Sequence, residues 1–212
     1  ADNLFKEGYS ADRVHVTGNT VIDALLYTSS RVTAPRKLEM FKDKKYILVT
    51  VHRRESFGES LLEICSAIRE LSVLYPDIDF IYPVHPNPNV HDVVYVELAG
   101  YKNIHLIPPL GYTDFIWLLK YSYCVLTDSG GVQEEAPSLN IPVIVLRDKT
   151  ERPEGVAAGV SLLAGRRKED IIQYVSTLIT DRHTYQKMAM GANPYGDGKA
   201  ALRIVEDIIN AG

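Results

Sequence analysis

Short apolar runs rich in β-branched and aromatic residues recur along the chain, each followed by a segment with helical periodicity. The run KYILVTVH at residues 45–52 is nearly unbroken, which is typical of a strand buried on both faces of a sheet. Similar runs at residues 78–85, 104–110, 123–128, 142–148 and 160–165 predict further strands. Strands that alternate with helices indicate βαβ units. The sequence therefore predicts an α/β fold, a Rossmann-like, doubly wound parallel sheet with helices on both faces.

The first 44 residues differ from this alternating pattern. Residues 1–6 look helical but have no helix-start signal before them, residues 14–17 form a short candidate strand, and residues 20–30 predict a helix. Residues 31–44 are polar, contain Pro35 and are interpreted as a linker. We therefore expect residues 1–44 to be an interdomain connection and residues 45–212 to form the Rossmann-like domain with its C-terminal helices. The opening also suggests a piece of a longer protein.

Composition argues against several classes of partner. The 212 residues carry a formal net charge of -4, whereas a nucleic-acid-binding surface usually shows a basic excess. No apolar run approaches the roughly 18 residues of a membrane helix, and no signal peptide opens the chain. Cys65 and Cys124 lie in apolar segments and are predicted to be buried thiols in a reducing compartment. We expect a cytoplasmic protein that binds neither nucleic acid nor membrane.

Polar residues follow four of the predicted strands at the point where each strand ends. In an open parallel sheet, ligands bind outside the carboxyl ends of the strands. These residues are His52 and Arg53, then His85, then Asp128, Ser129, Gly130 and Gly131, and finally Arg147, Asp148, Glu151, Arg152 and Glu154. One such strand end would carry little weight, but four together predict a ligand site.

Several of these residues also have a purely structural interpretation. His52 is equally suited to capping a helix, Arg53 to pairing with an acid such as Glu55, and His85 to stiffening a loop. A metal site built from His52, His85 and His91 lacks the support of a cysteine or a short His-x-x-His spacing. We therefore predict neither a metal nor another cofactor.

The segment LTDSGGVQEE at residues 126–135 gives the strongest indication of a ligand. Gly130 and Gly131 allow the backbone to approach a ligand closely, and free N–H groups at a helix start attract phosphate. Ser129 is a favourable helix cap. Glu134 and Glu135 are predicted in the first turns, where the dipole favours ionised carboxylates and where a carboxylate is able to accept both hydroxyls of a ribose. The alternative is an ordinary helix start. The segment matches neither G-x-G-x-x-G nor a Walker loop.

Six stretches of the chain resemble, in order, the C-terminal half of the bacterial non-hydrolysing UDP-N-acetylglucosamine 2-epimerases, which have the two-domain GT-B-like fold. They are VTGNTVIDALL, ILVTVHRRESFGE, IYPVHPNPNV, FIWLL, LTDSGGVQEEAPSLNIPVIVLRDKTERPEGVAAG and NPYGDGKA. Together they run over nearly the whole chain. A glycosyltransferase would share the fold and the glycine-rich turn with its downstream glutamate, but not this series.

The resemblance implies how a uridine diphosphate would lie in the site. The backbone near Phe115 would hold the uracil edge, and Glu135 would accept the ribose hydroxyls. The turn formed by Ser129, Gly130 and Gly131 would cradle the diphosphate.

The resemblance also implies roles for the histidine and arginine side chains at the strand ends. His52 would lie near the phosphates and is the residue that the family treats as catalytically important. Arg53 and His85 match positions of a second, allosteric site for UDP-N-acetylglucosamine (UDP-GlcNAc). Arg152 would lie on the ligand side.

The implied reaction removes the C2 proton of UDP-GlcNAc, expels UDP from C1 and adds it back with inverted C2, which gives UDP-ManNAc. The resemblance places the acidic residues for proton transfer in an N-terminal domain that this chain lacks, and it implies a homodimeric full-length protein. We expect the isolated chain to be inactive. Two other functions stay open from the residues: the nucleotide-sugar-binding half of a GT-B glycosyltransferase, and a non-catalytic module that binds UDP-sugars.

Overall fold

Six parallel strands form the sheet of the computed structural model, which describes residues 1–210. They are β1 (Tyr46–Thr50), β2 (Asp79–Pro83), β3 (Ile104–Ile107), β4 (Cys124–Thr127), β5 (Val143–Val145) and β6 (Ser161–Leu163). Their order is β3-β2-β1-β4-β5-β6, and every neighbouring pair is parallel. The order reverses between β1 and β4, so the predicted doubly wound sheet is confirmed.

Helices connect the strands and complete the fold at both ends of the chain. Within residues 1–210 the α-helices are α1 (Asp2–Lys6), α2 (Thr20–Ser29), α3 (Glu59–Leu74), α4 (Pro88–Leu98), α5 (Tyr112–Lys120), α6 (Gly130–Glu135), α7 (Pro153–Ala157), α8 (Lys168–Thr180), α9 (Arg182–Ala189) and α10 (Ala200–Asn210). Short 3-10 segments lie at Ala11–Arg13, Arg36–Phe41, Arg54–Ser56 and Ala136–Leu139.

The core has two layers because successive side chains of a strand point to opposite faces of the sheet. All five residues of β1 are buried, as the unbroken apolar run predicts. Ile47 and Val49 pack on one face with side chains of α3, α4 and α8. Tyr46 and Leu48 pack on the other face with side chains of α5 and α6. Each large apolar side chain buried in this way contributes about 1.5–3 kcal/mol, so both layers hold the strand ends in place.

The prediction of a strand at residues 14–17 is wrong. This stretch has no regular secondary structure and joins none of the six strands. Val16 is 76% exposed. Without a neighbouring strand the backbone hydrogen bonds that define a β-strand cannot form, and the apolar residues alone do not supply them.

Residues 20–44 are more closely packed on the domain than a free connection would be. Helix α2 forms as predicted, and its Ile22 and Leu25 are buried against Ile116 of α5. The stretch interpreted as a linker contains the 3-10 segment Arg36–Phe41, whose Leu38 and Phe41 are buried in the same layer as Tyr46. The linker interpretation rested on the polar composition of this stretch and missed these two buried apolar side chains.

The described residues bear on two further expectations from composition. Cys65 and Cys124 are buried free thiols, as predicted, and burial raises the pKa of each to about 12. In the part of the chain that the structure describes, no helix combines the length and apolar character needed to cross a membrane.

Candidate functional site

The strand order brings the four predicted strand ends side by side. Strands β2, β1, β4 and β5 are consecutive neighbours in the sheet. Their carboxyl ends carry His85, His52, Ser129 and Arg147 in that spatial order. The centre of this row is the reversal between β1 and β4, where ligands bind in doubly wound sheets.

A pocket of about 330 Å³ opens at this edge. His52 and His85 line it from the ends of β1 and β2, Tyr112 and Phe115 from α5, and Val132 from α6. The structure thus brings together three of the residues predicted for the site. Apolar and aromatic walls with a few polar groups are typical of small-molecule sites.

A larger cavity of about 580 Å³ lies at the opposite edge of the sheet, by the amino ends of β1 and β2. Its walls carry charges of both signs, and some of them are paired within it: Lys44 Nζ lies 2.7 Å from Asp79 Oδ2. We place the functional site at the smaller pocket, because the larger cavity is remote from the carboxyl ends of the strands.

Asp128 anchors the loop that carries His52. Its carboxylate is fully buried and accepts hydrogen bonds from the backbone N–H groups of His52, at 3.0 Å, and Arg53, at 2.8 Å, and from the hydroxyl of Ser56, at 2.8 Å. A buried carboxylate needs partners of this kind. The imidazole of His52 is stacked on that of His85, with ring centroids 5.7 Å apart. The sequence placed Asp128 at a strand end without assigning it this task.

The Ser-Gly-Gly turn starts α6. The prediction that the Ser129 side chain caps this helix is wrong. Ser129 occupies the N-cap position without a side-chain capping bond. Its backbone N–H instead donates to Thr127 Oγ1 at 2.9 Å, and that hydroxyl shares a 2.6 Å hydrogen bond with Thr50. The turn is therefore fixed from below by β4 and β1.

The two glutamates lie at the C-terminal end of this six-residue helix, and not in its first turns. The helix dipole therefore does not account for them. Glu134 is already engaged, because it accepts hydrogen bonds from Asn19 Nδ2 at 2.8 Å and from Arg152 Nε.

Within the described residues, Glu135 has fewer partners than Glu134. It is 8% exposed, and the Tyr112 hydroxyl lies 3.3 Å from its Oε1. Burial raises the pKa of Glu135, the hydrogen bond from Tyr112 acts in the opposite direction, and the charge of Glu134 adds to the rise. Tyr112 was missed at the sequence level, although it lies one turn before Phe115 on α5.

Two arginines lie over the glycine turn. A Cβ atom added to Gly130 would be 3.2 Å from Arg53 Nη2 and 3.9 Å from Arg152 Nη2. Glu151 lies 3.6 Å from Arg53 and accepts a 3.3 Å hydrogen bond from Arg147, whose Nε also donates to Glu55. Two guanidinium groups beside free backbone N–H groups suit an anion such as a phosphate.

The described residues contain no group of three or more histidine, cysteine, aspartate or glutamate side chains arranged to hold a metal ion.

Together, the fold and the site define a doubly wound α/β domain with a turn suited to an anion and an apolar pocket at the carboxyl ends of its strands. The family model described as UDP-N-acetylglucosamine 2-epimerase matches residues 1–209, and the chain belongs to this family.

Individual relatives agree with this assignment. The UDP-N-acetylglucosamine 2-epimerase of Campylobacter jejuni is 47% identical over 221 residues, covering 99% of this chain and 58% of that protein. The enzyme of the same name from Escherichia coli strain K12 is 48% identical over 217 residues, covering 98% of this chain and 58% of that protein. The crystal structure of UDP-GlcNAc 2-epimerase from Neisseria meningitidis bound to UDP-GlcNAc has a TM-score of 0.90 and 43% identity, covering 99% of this chain and 58% of that one. The chain thus spans less than two thirds of the length of these relatives.

Proposed function

We propose that this chain is the uridine- and diphosphate-binding part of an enzyme that interconverts UDP-GlcNAc and UDP-ManNAc. The observation that carries the proposal is Glu135, a nearly buried carboxylate whose single donor among the described residues is Tyr112, a residue that lines an apolar pocket. Family membership and the relative bound to UDP-GlcNAc support it.

We place the uridine between α5 and α6. The backbone near Phe115 holds the uracil edge, since Phe115 lines the pocket from α5. The free lone pairs of the Glu135 carboxylate accept hydrogen bonds from the two ribose hydroxyls. The diphosphate then extends over Ser129, Gly130 and Gly131. The N–H groups of the two glycines start α6, whereas that of Ser129 already donates to Thr127.

In the proposed reaction this chain holds the leaving group. The C2 proton is removed and the C1–oxygen bond breaks, so that UDP departs with the bonding electron pair and 2-acetamidoglucal remains. Negative charge grows on the diphosphate during this step, and hydrogen-bond donors that are already in position lower the energy of the transition state. Arg53, Arg152 and His52 are placed to provide them. Return of UDP to C1, together with delivery of a proton to the opposite face of C2, then gives the inverted C2 centre.

We assign the acid and base that transfer the C2 proton to the part of the longer relatives that does not align with this chain. The aligned residues cover only 58% of those proteins. We further propose that the complete enzyme closes a second domain over the sugar and that it is a homodimer. The buried free thiols Cys65 and Cys124 suit a reducing compartment, in support of a cytoplasmic location.

A second UDP-GlcNAc site that includes Arg53 and His85 remains part of the proposal. Its support is the stacking of His85 on His52, through which a ligand at His85 is able to influence the reaction site. Arg53 also lies beside the Gly130 turn, so it is shared between the two sites in this scheme.

Proton NMR of UDP-GlcNAc in D₂O tests the proposal. We expect the 212-residue chain to bind UDP by calorimetry but not to exchange the C2 proton for deuterium, because nucleotide binding and proton transfer involve different parts of the substrate. Addition of the N-terminal domain of a related epimerase should restore exchange. Failure to bind UDP would overturn the proposal, and exchange by this chain alone would place the acid and base within it.

The same assay separates the two alternative functions. A glycosyltransferase half would require an acceptor for turnover and would give no C2 exchange with the added domain. A non-catalytic module would bind UDP and remain inactive with any partner domain. Family membership favours the epimerase.

A further inference from the structure

We propose that Tyr112 is a positioning residue for the nucleoside: its hydroxyl orients the Glu135 carboxylate toward the ribose. This inference rests on the proposed function, because it takes Glu135 as the group that accepts the ribose hydroxyls. It adds a residue to the site from the N-terminal turn of α5.

The geometry of α5 supports this role. Tyr112 and Phe115 are three residues apart and therefore lie on the same face of the helix. Both line the pocket. Phe115 is the residue proposed for the uracil, so the tyrosine lies beside the position of the attached sugar. Its hydroxyl reaches Glu135 Oε1 at 3.3 Å.

Tyr112 also leaves the carboxylate free to bind. Among residues 1–210, no other group donates a hydrogen bond to the Glu135 side chain. An ionised carboxylate has about four lone-pair positions, so one bond from tyrosine leaves enough for a ribose diol. A glutamate held in one rotamer before binding does not lose that freedom when the ligand arrives, which favours affinity.

The contact further favours the ionised form of Glu135. Burial raises the pKa of Glu135, and the Tyr112 hydrogen bond lowers it because it stabilises the charged form. Burial, together with the charge of Glu135, raises the pKa of Tyr112 to about 12, so tyrosine remains the donor at neutral pH. Removal of the hydroxyl should therefore move the titration of Glu135 to higher pH.

Other groups near Glu135 do not replace this contact. Glu134, from the same helix, carries a like charge, and it is bound to Arg152 and Asn19. His52 lines the same pocket from the end of β1. Within the described residues, the donor to Glu135 comes from α5 alone.

The test compares Tyr112→Phe with the wild-type chain. Carbon NMR follows the side-chain carboxyl of Glu135 in the ligand-free protein, assigned by its loss in Glu135→Gln, and we expect a higher titration midpoint in the variant. Calorimetry should show UDP binding weakened about tenfold, near the lower end of what hydrogen bonds to charged groups contribute. The loss should grow as pH falls through the variant's midpoint, and 2′-deoxy-UDP should lose less.

Tyr121→Phe is the matched control. Tyr121 is about as exposed as Tyr112, 48% against 46%, and lies at the far end of the same helix. It should change neither the Glu135 midpoint nor UDP affinity. An unchanged Glu135 midpoint in Tyr112→Phe would overturn the contact. A shifted midpoint with unchanged UDP affinity would overturn the positioning role. If the wild-type chain does not bind UDP, both the proposed function and the nucleoside role of Tyr112 are wrong. The titration of Glu135 in the ligand-free protein still tests the contact with Tyr112 in that case.

Discussion

The buried carboxylate of Asp128 lies 3.0 Å from the backbone nitrogen of His52 and ties the end of β4 to the end of β1. These two strands are neighbours, but their connections leave in opposite directions, which creates the crevice of a doubly wound sheet. The carboxylate bridges that crevice at its base. The position of His52 in the proposed reaction thus depends on an acid that belongs to a different strand.

Replacement of Asp128 by alanine should destabilise the fold and weaken UDP binding. It leaves the N–H groups of His52 and Arg53 without an acceptor, and each buried donor left unsatisfied costs about 1–3 kcal/mol, so we expect about 2–4 kcal/mol in urea unfolding. Asp128→Asn keeps an oxygen acceptor and should lose less. Equal losses in the two variants would contradict this account.

Replacement of Glu135 by alanine should weaken UDP binding by about 1.5–3 kcal/mol for each charge-assisted hydrogen bond lost. The fold should survive, because the carboxylate has a single donor, Tyr112, among the described residues. The analogue 2′-deoxy-UDP should bind the wild-type chain poorly and lose little more in the variant. Calorimetry measures both ligands, and equal losses for the two would remove the ribose assignment.

Gly131→Ala should stabilise the fold and still weaken UDP binding. Beyond its chain neighbours and the backbone of its own helix, a Cβ atom at this position meets no protein atom within 4 Å, so the methyl group causes no clash. Alanine in a helix is favoured over glycine by about 0.5–1 kcal/mol. If the turn cradles the diphosphate, the methyl group lies in the space of the ligand. Uridine, which lacks phosphate, should bind as before, and a parallel loss of uridine and UDP would contradict the assignment.

Replacement of Arg147 by methionine should lower stability most at neutral pH. Arg147 lowers the pKa of Glu151, first through a hydrogen bond and then through its charge. A lowered carboxylate pKa contributes stability above the ordinary value of 4.5, and this contribution is lost as pH falls through the folded-state pKa. The difference in unfolding free energy between wild type and variant should therefore shrink below about pH 4.5.

Arg167→Met provides the control for Arg147. Its side chain is 75% exposed and pairs only loosely with Glu169 and Asp170, at 3.8 Å, so solvent screens it. Urea unfolding between pH 3 and 7 should show almost no change in this variant. A pH-independent difference for Arg147→Met would mean that packing, and not its ion pairs, accounts for the effect.

The strands of the sheet were predictable because burial on both faces imposes unbroken apolar runs. Six of the seven predicted strands are present, although several are shorter at their ends. Strand β3 ends at Ile107 because Pro108 and Pro109 have no N–H group to continue the ladder. The strand predicted at residues 14–17 failed, since local composition does not reveal whether a neighbouring strand is available.

The candidate site was predictable in outline for a related reason. The rule that ligands bind at strand carboxyl ends selected His52, His85 and the Ser-Gly-Gly turn, and family resemblance added Phe115 and Glu135. The rule depends only on where strands end along the chain, which the sequence shows. His52, His85 and Phe115 line the pocket, and the turn starts the helix beside it.

Other features were decided by the tertiary structure. Glu134 and Glu135 are adjacent and chemically identical, yet Arg152 and Asn19 bind the first, whereas the second contacts only Tyr112 among the described residues. The contact from Tyr112 and the anchoring by Asp128 likewise join residues from different elements. The sequence by itself determined the alternation of strands and helices and the residues at each strand end, because both follow from local periodicity. Which side chains are already paired, and which remain free to bind, depends on packing between distant segments, and local patterns carry no information about it.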